Sequence, residues 1–180
     1  MKKKRLMLKL LIIVVAFLLV NMGFGTLAYF TDSKDTAATM KAGTVDIKIH
    51  ENFNPPIKEI RIENIGTKRS YARVKVVPVW QEEVNGKWVD TSLSPENVII
   101  TVDNISNEKW VFFNGFYYYK GILNPGELTE PQLKLTVSYN QDTISQYKGK
   151  RLKLRVYAEA VQASNDIYKK MWNLNSLPWN

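Results

Sequence analysis

The stretch RLKLRVYAEAVQA, residues 151–163, decides the fold class because its apolar side chains recur at every second position. One face of this stretch carries Leu152, Leu154, Val156, Ala158 and Ala160, and the other carries Lys153, Arg155, Tyr157 and Glu159. Successive side chains of a β-strand point to opposite faces, so this period indicates a half-buried strand. Such a strand predicts a sheet whose apolar face packs against a second layer.

The residues before this stretch repeat the pattern in shorter pieces separated by turn signals. QLKLTVSYN, residues 132–140, alternates in the same way, and Asn85-Gly86 and Asn114-Gly115 each stand between strand-like runs. Asn-Gly adopts positive φ at both positions of a two-residue turn, so each pair predicts a β-hairpin. Eight or more short strands predict an all-β fold, an antiparallel β-sandwich of jelly-roll type. Residues 164–172 predict a short C-terminal helix.

The N-terminus has the organisation of an export signal. Basic residues at positions 2–5 and 9 precede an apolar run over 10–20, and Thr26 and Ala28 are small residues at positions minus three and minus one of a cleavage site. This pattern predicts a signal peptide, residues 1–28, that is removed before Tyr29. The alternative is an uncleaved membrane anchor, since about 20 apolar residues span a bilayer. Cleavage predicts a secreted protein that touches the membrane only through its signal peptide.

The composition of the exported part gives no support for nucleic acid binding and predicts stabilisation without disulfides. The signal carries five positive charges and no acidic residue, so its removal lowers the formal net charge from +8 to +3. A nucleic-acid-binding protein needs a clustered basic face, and we therefore predict no nucleic acid partner. The chain contains no cysteine, so packing and not disulfides must stabilise this exported domain.

No arrangement of residues in the sequence predicts catalysis. The motif closest to a zinc-protease site is HENFN, residues 50–54, but its fifth position is Asn54 and His50 is the only histidine of the chain. A zinc-protease helix needs two histidines in successive turns, and zinc prefers nitrogen and sulfur ligands. We therefore predict a protein that is not an enzyme, with no catalytic residue, no metal and no cofactor.

Large aromatic residues surround the predicted hairpin at Asn114-Gly115. Alternation allows only one set of them to be exposed, so the expectation is core on one face and ordinary surface on the other. The alternative is a contact surface, for which Phe116, Tyr117 and Tyr119 are the predicted partner contacts.

Four stretches together resemble the TasA–camelysin family of exported matrix proteins of Gram-positive bacteria. They are LAYFTDSKDT…KAGTVDIKI, ENIGTKRSYARVKVVPVW, GFYYYKGILNPGE and RLKLRVYAEAVQA, in this order. The resemblance implies processing by a SipW-type signal peptidase, a jelly-roll fold and assembly into biofilm matrix fibres. Some camelysin-like members are described as metalloproteases, but the single histidine here does not match that activity.

The resemblance also implies a role for residues 29–41, an extended segment before the predicted domain at 42–180. Fibre-forming members donate such a segment to the sheet of the next subunit, and an extended peptide can complete an open sheet edge. Phe30, Ala37 and Met40 are the predicted anchors of the donated strand, and Gly43 is its predicted hinge. The alternative is a loose or self-packed N-terminus.

These observations predict a secreted structural subunit of biofilm matrix fibres, located in the extracellular matrix or at the cell surface. Its expected partners are other copies of itself, the signal peptidase and other matrix proteins. The alternatives are a monomeric cell-surface binding module that uses the aromatic hairpin, and a camelysin-like metalloprotease. A covalent variant of the fibre would join lysine to asparagine or aspartate through isopeptide bonds, for which burial must hold the reacting groups uncharged.

Overall fold

The computed structural model describes residues 29–30, 39–40, 45–140 and 145–179 of the 180-residue chain. The predicted signal peptide with Thr26 and Ala28, the predicted anchor Ala37 and the predicted hinge Gly43 lie outside the described residues.

Two β-sheets account for most of the described residues, which confirms the all-β prediction. The strands are β1 Tyr29–Phe30, β2 Thr39–Met40, β3 Ile47–Asn54, β4 Ile57–Asn64, β5 Ser70–Val84, β6 Lys87–Asp90, β7 Val98–Val102, β8 Trp110–Phe113, β9 Phe116–Tyr119, β10 Leu133–Tyr139 and β11 Arg151–Gln162. The two helices described are α1 Asn104–Lys109 and α2 Ile167–Met171. One sheet has seven strands in the order β1-β11-β5-β9-β8, with β2 also on β11 and β6 also on β5. The other has four strands in the order β3-β4-β10-β7.

β5 and β11 form the central strand pair of the seven-stranded sheet. These strands run antiparallel from Ser70↔Gln162 to Gln81↔Arg151. The alternation in residues 151–163 therefore places alternate side chains of β11 on the two faces of a central pair.

The predicted hairpin turns are confirmed. Asn85 and Gly86 have φ of 52° and 74° between β5 and β6, and Asn114 and Gly115 have φ of 49° and 79° between β8 and β9. Positive φ at both positions is the geometry of a type I′ turn, which matches the twist of the flanking strands.

Three apolar clusters hold the sheets, and their described members begin at Val45. The first lies between the two sheets and contains Ile60, Ile62, Leu133 and Leu135, which are 0% exposed. The second lies on the outer face of the seven-stranded sheet, where the C-terminal residues Trp172, Leu174 and Leu177 cover Tyr118. The third surrounds Trp80. Each face of the seven-stranded sheet is therefore covered in its central part.

Arg73 of β5 connects the C-terminal residues to the sheet. Its Nε and Nη2 atoms donate to Glu159 Oε2 at 2.8 and 2.6 Å, and its Nη1 atom donates to the Tyr118 hydroxyl at 2.9 Å. The guanidinium carbon lies 3.9 Å from the ring centroid of Phe116 and 4.8 Å from that of Trp172. A planar cation of this kind can bind a carboxylate and stack on aromatic rings at once, which a lysine cannot do.

We expect Arg73→Met to lower the free energy of unfolding by about 1–3 kcal/mol, because Glu159 then loses its charged donor in a partly buried position. Urea unfolding followed by tryptophan fluorescence measures the loss. Lys75→Met is the matched control, since this exposed cation on the same strand lies 5.6 Å from the Phe116 ring and has a weaker contact. Equal losses in the two variants would contradict this role of Arg73.

Candidate functional site

The outer edge of β11 pairs with residues from the N-terminus of the same chain. β1 runs parallel to β11 with Tyr29↔Arg151 and Phe30↔Leu152, and β2 runs parallel to it with Thr39↔Ala158 and Met40↔Glu159. The predicted anchors Phe30 and Met40 therefore lie on the chain's own sheet, as in the self-packed alternative.

This pairing covers an edge that needs protection. The opposite edge of β11 is fully paired with β5, so without β1 and β2 a strand of 12 residues would present unpaired backbone groups. Such an edge is a template for pairing with another chain. β1 and β2 are strands of 2 residues each, so few backbone hydrogen bonds of these described residues hold them on β11.

An open edge lies on the other side of β5. There Arg73 and Val74 pair with β9, and Gln81 to Val84 pair with β6. Within the described ranges, no strand pairs with residues 75–79 of β5 on this side. β7 is the last strand of the four-stranded sheet, so the two sheets leave a seam between β5 and β7.

An apolar groove occupies this seam, with a cavity volume of about 530 Å³. It is lined by residues of β5, β7 and the β8–β9 hairpin, namely Lys75, Val76, Val77, Pro78, Val98, Ile100, Val102, Phe112, Gly115 and Tyr117. Lys75 is the one charged residue in this lining. A small-molecule site usually places several polar groups toward its ligand. This lining is suited instead to the apolar side chains of a peptide.

Pro78 gives the physical reason why this part of β5 is open. Proline has no backbone N–H and is therefore found in sheets mainly at edges and bulges. Pro78 pairs with Leu154 of β11 on one side and lines the groove on the other. A proline inside a strand pattern indicates an edge or a bulge, but the sequence does not identify the residues of β7 and the hairpin that lie opposite.

The structure contradicts the prediction that Tyr117 and Tyr119 are exposed partner contacts. Tyr117 is 7% exposed and Tyr119 is 8% exposed. The Tyr119 hydroxyl donates to the Glu130 carbonyl at 2.8 Å. Burial raises the pKa of the Tyr117 hydroxyl. Both side chains belong to the cluster between the sheets, which agrees with the expectation of core packing on one face.

The prediction of exposed contacts on β9 was wrong because the other face of this strand is covered as well. Tyr118 lies beneath the C-terminal residues, and the predicted contact Phe116 is half-buried under Arg73. The exposed aromatic residues belong to β8 instead, where Phe112 is 59% exposed and Phe113 is 42% exposed. Phe112 lines the groove, with its ring centroid 4.8 Å from that of Tyr117.

The described residues contain no cluster of three or more histidine, cysteine, aspartate or glutamate side chains that could hold a metal ion. His50 Nε2 lies 2.6 Å from Glu63 Oε2, an ion pair or hydrogen bond between β3 and β4. In the part of the chain that the structure describes, no helix has the length and apolar character needed to cross a membrane.

Comparisons with protein-family models, curated proteins and solved structures find no match to this chain. A function is therefore inferred from the β11 edge and the groove themselves.

Proposed function

We propose that the chain is a secreted structural subunit of extracellular biofilm matrix fibres, which assembles head to tail by donating its N-terminal segment as a strand. The observation that supports the proposal best is the pairing of Tyr29–Phe30 and Thr39–Met40 with β11. Residues of the N-terminal segment thus add to a sheet as short strands, which is the property that a donated strand requires.

The separate positions of the N-terminal residues and the groove favour a filament over a closed dimer. The N-terminal residues lie at the β11 edge of the seven-stranded sheet, whereas the groove lies beside β8 and β9 at its other end. Donation from one edge of a subunit to a different edge of the next is a heterologous contact. A contact of this kind adds subunits without closing unless the rotation between subunits forms a ring.

The proposal includes export and processing. A SipW-type signal peptidase removes residues 1–28, which frees Tyr29 from the membrane and makes donation dependent on export. In this proposal the sandwich has the jelly-roll topology of the TasA–camelysin family. Its partners in the matrix are other copies of this chain and other matrix proteins. The protein has no enzymatic role in this proposal.

Electron microscopy of two purified chains tests the proposal. We expect the chain that begins at Tyr29 to form fibres and the chain that begins at Ala42 to stay monomeric, because only the first contains the donated segment. Both chains keep every described member of the three apolar clusters, since these members begin at Val45. Circular dichroism and thermal unfolding check that the shorter chain is folded.

Two results would contradict strand donation. Fibres of both chains would mean that assembly uses another surface, and the N-terminal segment would then be incidental. Monomers of both chains, even with seeds or after a change of pH, would favour a different function.

A monomeric cell-surface binding module is the second candidate, and the exposure of Phe112 and Phe113 favours it. Large exposed aromatic residues beside an apolar groove are typical of an interaction surface. This candidate requires that the Tyr29 chain remain monomeric at high concentration and that replacement of Phe112 and Phe113 abolish its binding to the cell surface.

A further inference from the structure

We infer that the groove between β5 and β7 binds one long-chain fatty acid. The acyl chain lies along the apolar walls, and the carboxylate accepts a hydrogen bond from the Tyr117 hydroxyl and is attracted by Lys75. This ligand goes beyond the proposed function, in which the partners of the chain are proteins, and its binding does not require fibre assembly.

The groove has the volume and the walls that an apolar ligand needs. Its volume is about 530 Å³, which falls within the range of roughly 300–1,000 Å³ for small-ligand sites. Val76 and Pro78 of β5 line one side. Val98, Ile100 and Val102 line the β7 side, and their spacing of two residues places them on one face of that strand. The two strands therefore offer a continuous apolar surface to a hydrocarbon chain.

The Tyr117 hydroxyl is a polar group of the groove that lacks a partner. Tyr117 lines the groove and is 7% exposed. The hydroxyls of the buried residues Tyr118, Tyr119 and Tyr147 each form a hydrogen bond. The Tyr117 hydroxyl forms none with any described residue. Because buried polar groups are normally hydrogen-bonded, an acceptor atom supplied by a ligand would complete this site.

Lys75 gives this end of the groove a single positive charge. Val74 pairs with Tyr117, and Lys75 is the next residue along β5. Its ammonium lies 5.6 Å from the Phe116 ring centroid, and no described carboxylate forms an ion pair with it. Charge complementarity therefore favours a ligand with one negative charge. An exposed pair of this kind strengthens binding by no more than about fivefold, so Lys75 selects the head group but does not dominate the affinity.

A long-chain fatty acid matches these features better than other small molecules. It has one carboxylate at the end of a chain without polar groups, which corresponds to one hydroxyl donor and one cation at the end of an apolar groove. Sugars and nucleotides carry polar groups along their whole length and need several polar partners, which the described lining does not offer. Each buried CH₂ group strengthens binding about fourfold, so the length of the acyl chain is expected to set the affinity.

Isothermal titration calorimetry with saturated fatty acids of different length tests the site. The protein is the chain that begins at Tyr29, taken as monomer from gel filtration. The probes are decanoate, dodecanoate and tetradecanoate, each below its micelle concentration. We expect one molecule bound per chain and a dissociation constant that falls about tenfold for every two CH₂ groups added. Dodecanol, which has the same chain as dodecanoate without the charge, is expected to bind more weakly by up to about fivefold.

Two matched pairs of variants locate the ligand in the groove. Phe112→Ser removes an exposed ring that lines the groove, whereas Ile99→Ser removes an exposed side chain of β7 that does not. We expect tetradecanoate to bind about tenfold more weakly to the first variant and with unchanged affinity to the second. Tyr117→Phe removes only a hydroxyl, and its control Tyr168→Phe does the same at a residue of similar burial in the second apolar cluster. Only Tyr117→Phe is expected to weaken binding, by about threefold to tenfold.

Three results would overturn the site. An affinity that does not depend on chain length would exclude burial of the acyl chain. Equal weakening in Phe112→Ser and Ile99→Ser would place the ligand on another surface, and many molecules bound per chain would mean detergent-like adsorption. Circular dichroism checks that each variant is folded, and the Tyr117 pair decides the question if Phe112→Ser is not. Because the titrations use monomers, failure of this site leaves the proposed fibre function standing.

Discussion

Replacement of Trp80 by alanine is expected to lower the free energy of unfolding by about 3–5 kcal/mol, which is the range for large aromatic side chains removed from a core. Trp80 is 0% exposed and is the centre of the third apolar cluster. Its ring centroid lies 4.5 Å from that of Tyr147 and 5.6 Å from that of Tyr139. These rings come from three separate parts of the chain, so no single neighbour can move to fill the cavity.

The loss includes a hydrogen bond as well as packing. Trp80 Nε1 donates to Asn97 Oδ1 at 3.1 Å, and Asn97 is 5% exposed with no hydrogen-bond partner at its Nδ2 atom among the described residues. Without Trp80 both ends of this amide would be buried without a partner, which adds to the cost.

Trp88→Ala is the matched control for this prediction. Trp88 is half-buried in β6 and packs under the Arg151 guanidinium at 4.6 Å. We expect its removal to cost about 1 kcal/mol, the scale of an exposed cation–π contact. Chemical unfolding followed by circular dichroism compares the two variants. Losses of similar size would mean that Trp80 is not a centre of the core.

Individual strands and turns could be predicted from the sequence because the rules that determine them act over a few residues. Alternation predicted β10 and β11, the Asn-Gly pairs predicted the β5–β6 and β8–β9 turns, and residues 164–172 predicted the region in which α2 lies. In each case the spacing of side chains or the demand for positive φ decides the structure without help from distant residues.

The remaining features depend on contacts between distant parts of the chain. Nothing near β9 in the sequence indicates that Tyr118 is covered by Trp172, so one set of hairpin aromatics was expected at the surface. Lys58 is in phase with Ile60 and Ile62 on the buried face of β4, where it is 2% exposed. Its Nζ lies 2.8 Å from Glu51 Oε2, a partner that the sequence does not identify. A groove between β5 and β7 exists only after both sheets are packed. These residues show why the candidate site required the structure.

A disulfide between β2 and β11 is expected to block assembly, and a reductant is expected to restore it. Thr39 and Ala158 are directly paired on neighbouring strands, which brings their Cα atoms within the range that a disulfide can bridge. The chain has no cysteine of its own. The variant with Thr39→Cys and Ala158→Cys, starting at Tyr29, therefore has one way to form an intramolecular bond. This bond would hold the segment on its own β11.

Non-reducing gels and electron microscopy of the same samples check this expectation, with the two single-cysteine variants as controls for the substitutions alone. A monomeric band without fibres, followed by fibres after reduction, supports release of the segment before donation. Oxidised fibres that run as a covalent ladder would place the neighbour's segment on β11 and exclude the groove as acceptor. Oxidised monomers that polymerise as well as reduced ones would contradict donation itself. The disulfide leaves the groove unchanged. The three results therefore distinguish where the segment docks from whether it must leave its own β11 first.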